Sequence, residues 1–136
     1  MKKFLIVLTC IAVIFIGGFA WWRMPVRFLK NIESENISRI EVFNGSTGIR
    51  FTVTDQKDIK YIVENISQKT MRKSGISLSF TGTRYNMKFI SPDEEVIDSF
   101  IINSKNTIRK DPFFYFDETE SLCSEYLREL EKKTSK

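Results

Sequence analysis

Residues 103–111 form the most donor-rich segment between two apolar stretches of the chain. Arg109 and Lys110 lie near its end, and such cationic side chains bind anions or the carboxylates of a peptide. A structural interpretation competes with this one. In it the segment is a hairpin turn followed by a solvated edge strand, whose lysine and arginine discourage pairing with another chain. The sequence therefore predicts either a binding rim at Arg109 and Lys110 or the edge of a sheet, and the edge is the preferred interpretation.

Four consecutive aromatic residues follow directly: Phe113, Phe114, Tyr115 and Phe116. Side chains of an extended segment alternate between its two faces, so all four cannot point into one core. In one interpretation Phe114 and Phe116 are exposed and available to a partner or to the membrane surface. In the other, the last helix of the chain covers them. The spacing leaves both alternatives open.

Two acidic clusters carry oxygen atoms of the kind that bind calcium. They are Asp93, Glu94 and Glu95, and then Asp117 and Glu118 with Glu120. Neither cluster has the spacing of a calcium loop, and helix N-termini favour carboxylates in any case. We therefore predict a turn and a helix cap at these positions.

A carboxylate pair also underlies an alternative function, because glycoside hydrolysis can run on two acids without histidine. The candidates are Asp93, Glu95, Asp98 and Asp117. A domain of this size leaves little room for a substrate cleft, which usually needs about 300 Å³ or more. The enzyme is thus the alternative, and no catalytic residue is predicted.

Histidine is absent, and this excludes several kinds of site. Ser-His-Asp catalysis, Cys-His catalysis and histidine-ligated zinc all need the imidazole. Cys10 lies in an apolar run and Cys123 on an apolar helix face, so no disulfide framework is expected. Twenty-one basic residues against seventeen acidic ones make a mixed surface, which does not indicate nucleic-acid binding. No cofactor or metal is predicted.

An uncharged run from Phe4 to Trp22 dominates the N-terminal part of the chain. As one helix, with about 1.5 Å of rise per residue, it crosses most of the roughly 30 Å hydrocarbon core of a bilayer. The tandem tryptophans at its end favour the headgroup level. The run therefore predicts a membrane anchor.

A cleaved secretory signal is the alternative to an anchor, since Gly18-Phe19-Ala20 places small residues where a signal peptidase cuts. The length of the run and the bulky residues after that position favour retention. The short N-terminal tail favours an inside location for the tail, and it predicts an extracytoplasmic C-terminal part.

Hydropathy patterns predict the elements of that part. Alternation on both sides of Asn44-Gly45-Ser46-Thr47-Gly48 predicts a β-hairpin over residues 40–54. Asp55 then caps a helix whose apolar face is Ile59, Ile62, Val63 and Ile66.

Period-two alternation predicts further strands at residues 76–80, 85–89 and 96–102, and a short edge strand at 107–110. A last helix is predicted from Asp117 or Thr119, with an apolar face of Leu122, Cys123, Tyr126, Leu127 and Leu130. The expected order is β-β-α-β-β-β-(β)-α, an α+β fold with an antiparallel sheet and two packed helices. Residues 1–30 are assigned to the anchor and juxtamembrane stretch, and residues 31–136 to one extracytoplasmic domain.

Several segments carry a resemblance to a known family. They are residues 37–48 with Thr52-Val53-Thr54-Asp55, and residues 96–100 with residues 106–115. Together they resemble small membrane-anchored extracytoplasmic proteins of low-GC Gram-positive bacteria, a family of unassigned function. The resemblance covers residues 37–130 and consists of a pattern of strands and turns. It implies a bacterial cell-surface location and offers no active residues.

Taken together, these features predict a non-enzymatic, single-pass membrane protein. Its outward domain is expected to bind a protein or peptide as an accessory or regulatory component. Two alternatives stand beside this prediction: a carboxylate-dependent envelope hydrolase, and a secreted self-associating or inhibitory module released by signal cleavage.

Overall fold

The computed structural model of the chain describes residues 1–118 and 122–135. The described part has an α+β fold, as predicted, with one seven-stranded antiparallel sheet. Its helices and strands, in chain order, are α1 (Lys2–Arg23), β1 (Arg39–Asn44), β2 (Arg50–Val53), α2 (Gln56–Ser67), β3 (Arg72–Ile76), β4 (Tyr85–Ile90), β5 (Val96–Ile102), β6 (Thr107–Lys110), β7 (Phe113–Phe116) and α3 (Ser124–Thr134). The strand order in the sheet is β2-β1-β4-β5-β6-β7-β3.

The predicted hairpin and first core helix are confirmed. β1 and β2 pair antiparallel, and Gly48 has the positive φ of 75° that its turn requires. Asp55 caps α2 by accepting a hydrogen bond from the Lys57 amide at 2.8 Å. The four predicted apolar residues of α2 are all buried.

One face of the sheet, the helical face, carries the core. Side chains such as Ile40, Met87 and Ile108 point from it into a single hydrophobic cluster with Ile62 of α2 and Leu127 of α3. We call the other side the open face. Among the described residues, no helix packs against it.

The strand predicted at residues 76–80 lies elsewhere. β3 runs from Arg72 to Ile76, and residues 77–84 then form a crossover segment that leads to β4. The periodicity of Ile76, Leu78 and Phe80 misled the prediction, because these three side chains are 60%, 71% and 55% exposed. The observed strand β3 has few apolar residues, and it forms because it pairs with the aromatic strand β7.

The prediction that residues 107–110 form an edge strand is wrong. β6 lies between β5 and β7, and the sheet ends instead at β2 and β3. The aromatic run after Pro112 forms a seventh strand, β7, which was not predicted. Residues 107–110, which the sequence placed at the edge, are therefore paired with a strand on both sides.

The last helix begins later than predicted. Asp117 is not helical, and α3 starts at Ser124; the other predicted start, Thr119, and Glu120 lie outside the described residues. The apolar face is largely confirmed, since Leu122, Cys123, Leu127 and Leu130 are buried while Tyr126 is half-buried.

The N-terminal helix α1 is 22 residues long, and by length and composition it can cross a membrane. A signal sequence would pass the same test. None of its residues is buried against the rest of the chain.

The stretch after α1, which the sequence analysis assigned to the juxtamembrane segment, packs into the domain. Phe28 and Leu29 are 5% and 2% exposed, and the Phe28 ring lies 5.1 Å from the Phe100 ring. Val26 and Met71 exchange backbone hydrogen bonds of 2.7 and 2.8 Å. The domain boundary after residue 30 stays a prediction, although these contacts extend the core to its N-terminal side.

Candidate functional site

The crossover segment divides the open face into a covered and an uncovered half. Its Phe80 ring lies edge-on to Phe114 of β7, with 5.0 Å between centroids. At its far end the Gly45 amide donates to the Arg84 carbonyl at 2.8 Å. A Cβ on Gly45 would come within 2.3 Å of the Thr83 backbone, so this close approach requires glycine.

The side chain of Arg109 links the crossover segment to the sheet. This side chain is 8% exposed, and its Nε donates to Asp111 Oδ1 at 2.8 Å while Nη1 donates to the Gly82 carbonyl at 3.3 Å. Asp111 Oδ1 also accepts from the Ser77 hydroxyl at 2.5 Å. The hydrogen bonds from Arg109 and Ser77 lower the pKa of the Asp111 carboxyl. The guanidinium thus has structural partners, and its predicted binding role stays a prediction.

The four residues predicted to bind a partner do not form one site. Lys110 lies on the opposite side of β6 from Arg109, and its Nζ is 2.5 Å from Asp98 Oδ1. Phe114 is half-buried beneath Phe80, and Phe116 is half-buried beside Arg72, its partner in β3.

Neither alternative for the aromatic run describes the structure fully. All four aromatic side chains are half-buried, and α3 covers the helical face, not Phe114 and Phe116. The crossover segment supplies the cover for Phe114. A covering loop was not among the alternatives because its residues had been assigned to a strand.

The uncovered half of the open face is a shallow concavity of about 440 Å³, which we call the open-face groove. Its side chains come from three neighbouring strands: Glu41 and Phe43 of β1, Arg50 and Thr52 of β2, and Asn86 and Lys88 of β4. The Arg50 guanidinium lies 4.4 Å from the centre of the Phe43 ring. This cation–π pair makes a flat platform in the groove.

One side of the groove is the outer edge of the sheet. In the described part of the chain β2 pairs only with β1, so its outer backbone groups are available to another strand. An extended peptide recognised in this way gains backbone hydrogen bonds from the edge and specificity from side chains of the exposed face. The groove and the edge together can therefore hold an extended chain.

Arg39 forms two ion pairs at the border of the groove. Its Nε is 3.1 Å from Glu41 Oε1, and its Nη2 is 2.7 Å from Glu94 Oε2. These bonds lower the pKa of the Glu94 carboxyl and raise the pKa of the Arg39 guanidinium. Glu94 lies in the turn between β4 and β5, as predicted for this acidic cluster.

The candidate carboxylates of the alternative enzyme are spread over the sheet. Asp93 and Glu95 lie in the turn between β4 and β5, whereas the buried Asp117 follows β7 at the other end of the sheet. Asp98 is paired with Lys110. Within residues 1–118 and 122–135, no three acidic or thiol side chains converge as metal ligands.

A buried polar cluster joins α3 to the hairpin, and sequence reasoning missed it. Glu131 is 5% exposed and accepts hydrogen bonds from Asn44 Nδ2 at 2.8 Å and from Thr47 Oγ1 at 2.6 Å. Burial, together with Glu131, raises the pKa of the neighbouring Tyr85 hydroxyl. An acid in the last turn opposes the helix dipole, and this was the signal that could have revealed it.

Two further groups on the helical face are structural. Burial raises the pKa of the Cys123 thiol to about 12, as befits a core residue. A short hydrogen bond to Asp58, aided by burial, raises the pKa of the Tyr126 hydroxyl to about 12 and links α3 to α2.

Comparison with known proteins gives no match: no protein-family model, no curated protein and no solved structure is similar to the chain.

Proposed function

We propose that this chain is a non-enzymatic, single-pass membrane protein whose extracytoplasmic domain binds an extended segment of a partner protein. The binding surface is the open-face groove together with the outer edge of β2. The observation that carries the proposal is the uncovered half of the open face beside a strand with no outer neighbour in the described residues.

The chemistry of the groove suits a peptide. Arg50 over Phe43 offers a platform for an apolar or aromatic side chain, and Glu41 and Lys88 offer one charge of each sign. Thr52 is exposed on the edge strand itself, where a partner strand would pass. Backbone pairing at the edge would supply affinity, and these side chains would supply specificity.

Membrane placement is the second part of the proposal. It is supported by the 22-residue apolar helix α1, by its two terminal tryptophans and by the basic residues on both flanks. The resemblance to membrane-anchored proteins of low-GC Gram-positive bacteria agrees with this placement and stays a prediction.

Topology can be measured in a bacterial host. Alkaline phosphatase fused after Lys136 should be active, because the enzyme folds only outside the cytoplasm, and the fusion should resist extraction with carbonate. An inactive fusion would reverse the proposed topology. A fusion that washes off the membrane would support a cleaved signal.

Partner binding can be tested by photo-crosslinking in native membranes. A photoreactive phenylalanine analogue in place of Thr52 should give one dominant adduct, identified by mass spectrometry. The matched control carries the analogue at Lys57, which is exposed on α2 away from the groove. Equal labelling at the two positions, or none at either, would contradict the proposal. An adduct of two copies of the chain would support the self-associating alternative.

The contribution of the platform can be tested in the same membranes. Phe43→Ala should reduce the Thr52 adduct several-fold, because the Arg50 guanidinium would lose the ring on which it lies. Tyr61→Ala, at an exposed aromatic on α2, should leave the adduct unchanged.

A further inference from the structure

Three exposed apolar side chains mark the end of β3 and the start of the crossover segment. Ile76, Leu78 and Phe80, which we call the apolar loop, are 60%, 71% and 55% exposed. Among the described residues, the other large apolar side chains exposed above half are Val96 and those of the N-terminal helix with the residue on either side of it. Large exposed apolar patches usually mark a surface that another apolar phase or molecule covers.

The apolar loop lies beside the end of the anchor helix. Ile76 is paired with Phe113 in the sheet register. The Phe113 ring in turn lies edge-on to Trp21 and Trp22, with centroid distances of 5.7 and 5.5 Å. Ile76, the first residue of the loop, therefore adjoins an aromatic surface that begins at the tryptophans of α1, whereas Phe80 lies over Phe114 on the open face.

Basic side chains surround the same region. Lys73 Nζ lies 4.2 Å from the centre of the Trp21 ring and 5.6 Å from that of Phe113. Arg23 and Arg72 line the adjoining concave surface, together with Asp117 and Glu118 at its other side. Cations beside apolar and aromatic groups are typical of protein surfaces that rest on phospholipid headgroups.

We infer that the apolar loop inserts into the headgroup–acyl boundary of the bilayer that holds α1, and that the domain is thereby docked on the membrane surface. This inference rests on the proposed anchor. The occupant is the lipid surface itself, because Ile76 pairs with Phe113 and Phe113 contacts the tryptophans that the proposed anchor places at headgroup level. Docking gives the domain a second membrane contact and a defined tilt, which leaves the β2 edge, at the other end of the strand order, directed away from the loop.

The experiment uses the full chain in phospholipid nanodiscs containing phosphatidylcholine and phosphatidylglycerol. Leu78→Cys is introduced together with Cys10→Ser and labelled with an environment-sensitive fluorophore. The remaining thiol, Cys123, is buried and does not compete for the label. Leu78 is mostly exposed, so the substitution leaves the core intact. Nitroxide groups near the top of the lipid acyl chains then act as quenchers.

Two matched labels calibrate the measurement. One replaces Thr52 on the far edge of the sheet, and the other is attached to the native Cys10 inside α1. The label at residue 78 should be blue-shifted and quenched several-fold more than the label at residue 52. A label at Ile76→Cys should behave in the same way.

Each outcome decides the question. If the labels at residues 76 and 78 are quenched no more than the label at residue 52 while Cys10 is quenched, the docking inference is overturned and the anchor stands. If the label on Cys10 is not quenched either, the anchor fails and the inference fails with it. Because the nitroxide groups are carried only by the lipid acyl chains, quenching at residue 78 reports contact with lipid.

Discussion

The carboxylate of Glu131 accepts a hydrogen bond from the Asn44 side-chain amide at 2.8 Å, although 87 positions separate the two residues. Both residues are buried, at 5% and 4% exposure. The contact joins the end of α3 to the turn of the β1–β2 hairpin, and this hairpin carries two of the three strands of the open-face groove. The polar cluster therefore supports the candidate binding surface from the opposite side of the sheet.

Removing this carboxylate should destabilise the domain. Glu131→Ala leaves the buried Asn44 amide without its acceptor, which costs roughly 1–3 kcal/mol of unfolding free energy. Glu129→Ala, at an exposed position two residues earlier, should change stability by less than about 0.5 kcal/mol. Urea unfolding followed by circular dichroism measures both, and equal midpoints for the two variants would refute a structural role for Glu131.

The contact between Arg109 and Asp111 should make stability depend on pH. Because the folded pKa of Asp111 is below its ordinary value of 3.8, the charged carboxylate stabilises the fold above that value. This contribution is lost as the pH falls through the folded pKa. Asp111→Asn should therefore lower the melting temperature at pH 7, and the gap to the native chain should narrow below about pH 4.

Asp93→Asn is the control for that experiment, since it removes the same charge from an exposed turn. It reports the effect of net charge alone. A gap of constant size for Asp111→Asn between pH 7 and the acid limit would show that the ion pair does not stabilise the crossover segment.

Truncation should reveal that the juxtamembrane stretch belongs to the core. A fragment of residues 24–136 retains Phe28, Leu29 and the Val26–Met71 bridge, and it should unfold cooperatively. A fragment of residues 31–136 lacks all three and should lose at least about 3 kcal/mol, the usual cost of deleting a buried phenylalanine side chain. Phe28→Ala in the longer fragment measures how much of this loss comes from the Phe28 ring alone. Identical stability for the two fragments would exclude this packing.

The thiol of Cys123 should be inert in the folded chain. Burial raises its pKa to about 12 and shields it from reagents, whereas the thiolate is the reactive form. With Cys10→Ser in place, a maleimide should modify the native protein slowly and the urea-unfolded protein completely. Rapid modification under native conditions would mean that α3 opens readily from the sheet.

Patterns within one element were predicted well from the sequence. The spacing of Ile59, Ile62, Val63 and Ile66 predicted both the helix and its buried face, because a 3.6-residue period leaves one stripe to bury. The hairpin at Gly48 was predicted for a similar reason, since its positive φ and the flanking alternation are local properties. The fold class followed from the order of these elements.

Strand neighbours were not predictable in the same way. Alternation at Ile76, Leu78 and Phe80 is typical of a half-buried strand, yet these residues leave the sheet and β3 forms from the polar residues before them. β6 was expected at an edge because it is short and basic, but the aromatic run pairs along its outer side. Pairing partners distant in sequence decide both outcomes, and hydropathy within a segment does not contain that information.

The candidate binding residues show the same division. Arg109 and Lys110 were chosen as neighbouring cations, but alternation along β6 sends them to opposite faces, where Asp111 and Asp98 pair with them. The groove residues Phe43, Arg50 and Lys88 come from three strands and have no common spacing in the sequence.

By itself the sequence determined an apolar N-terminal helix long enough to span a bilayer, an α+β domain after it, and the face that each core helix buries. Those properties depend on residue type and on local period, which a single strand or helix expresses alone. Only the tertiary structure decided which strands form the edges, that residues 77–84 cross the open face, and that the uncovered groove lies between β2 and β4. These features arise from contacts between distant residues, so they exist only once the whole sheet has assembled.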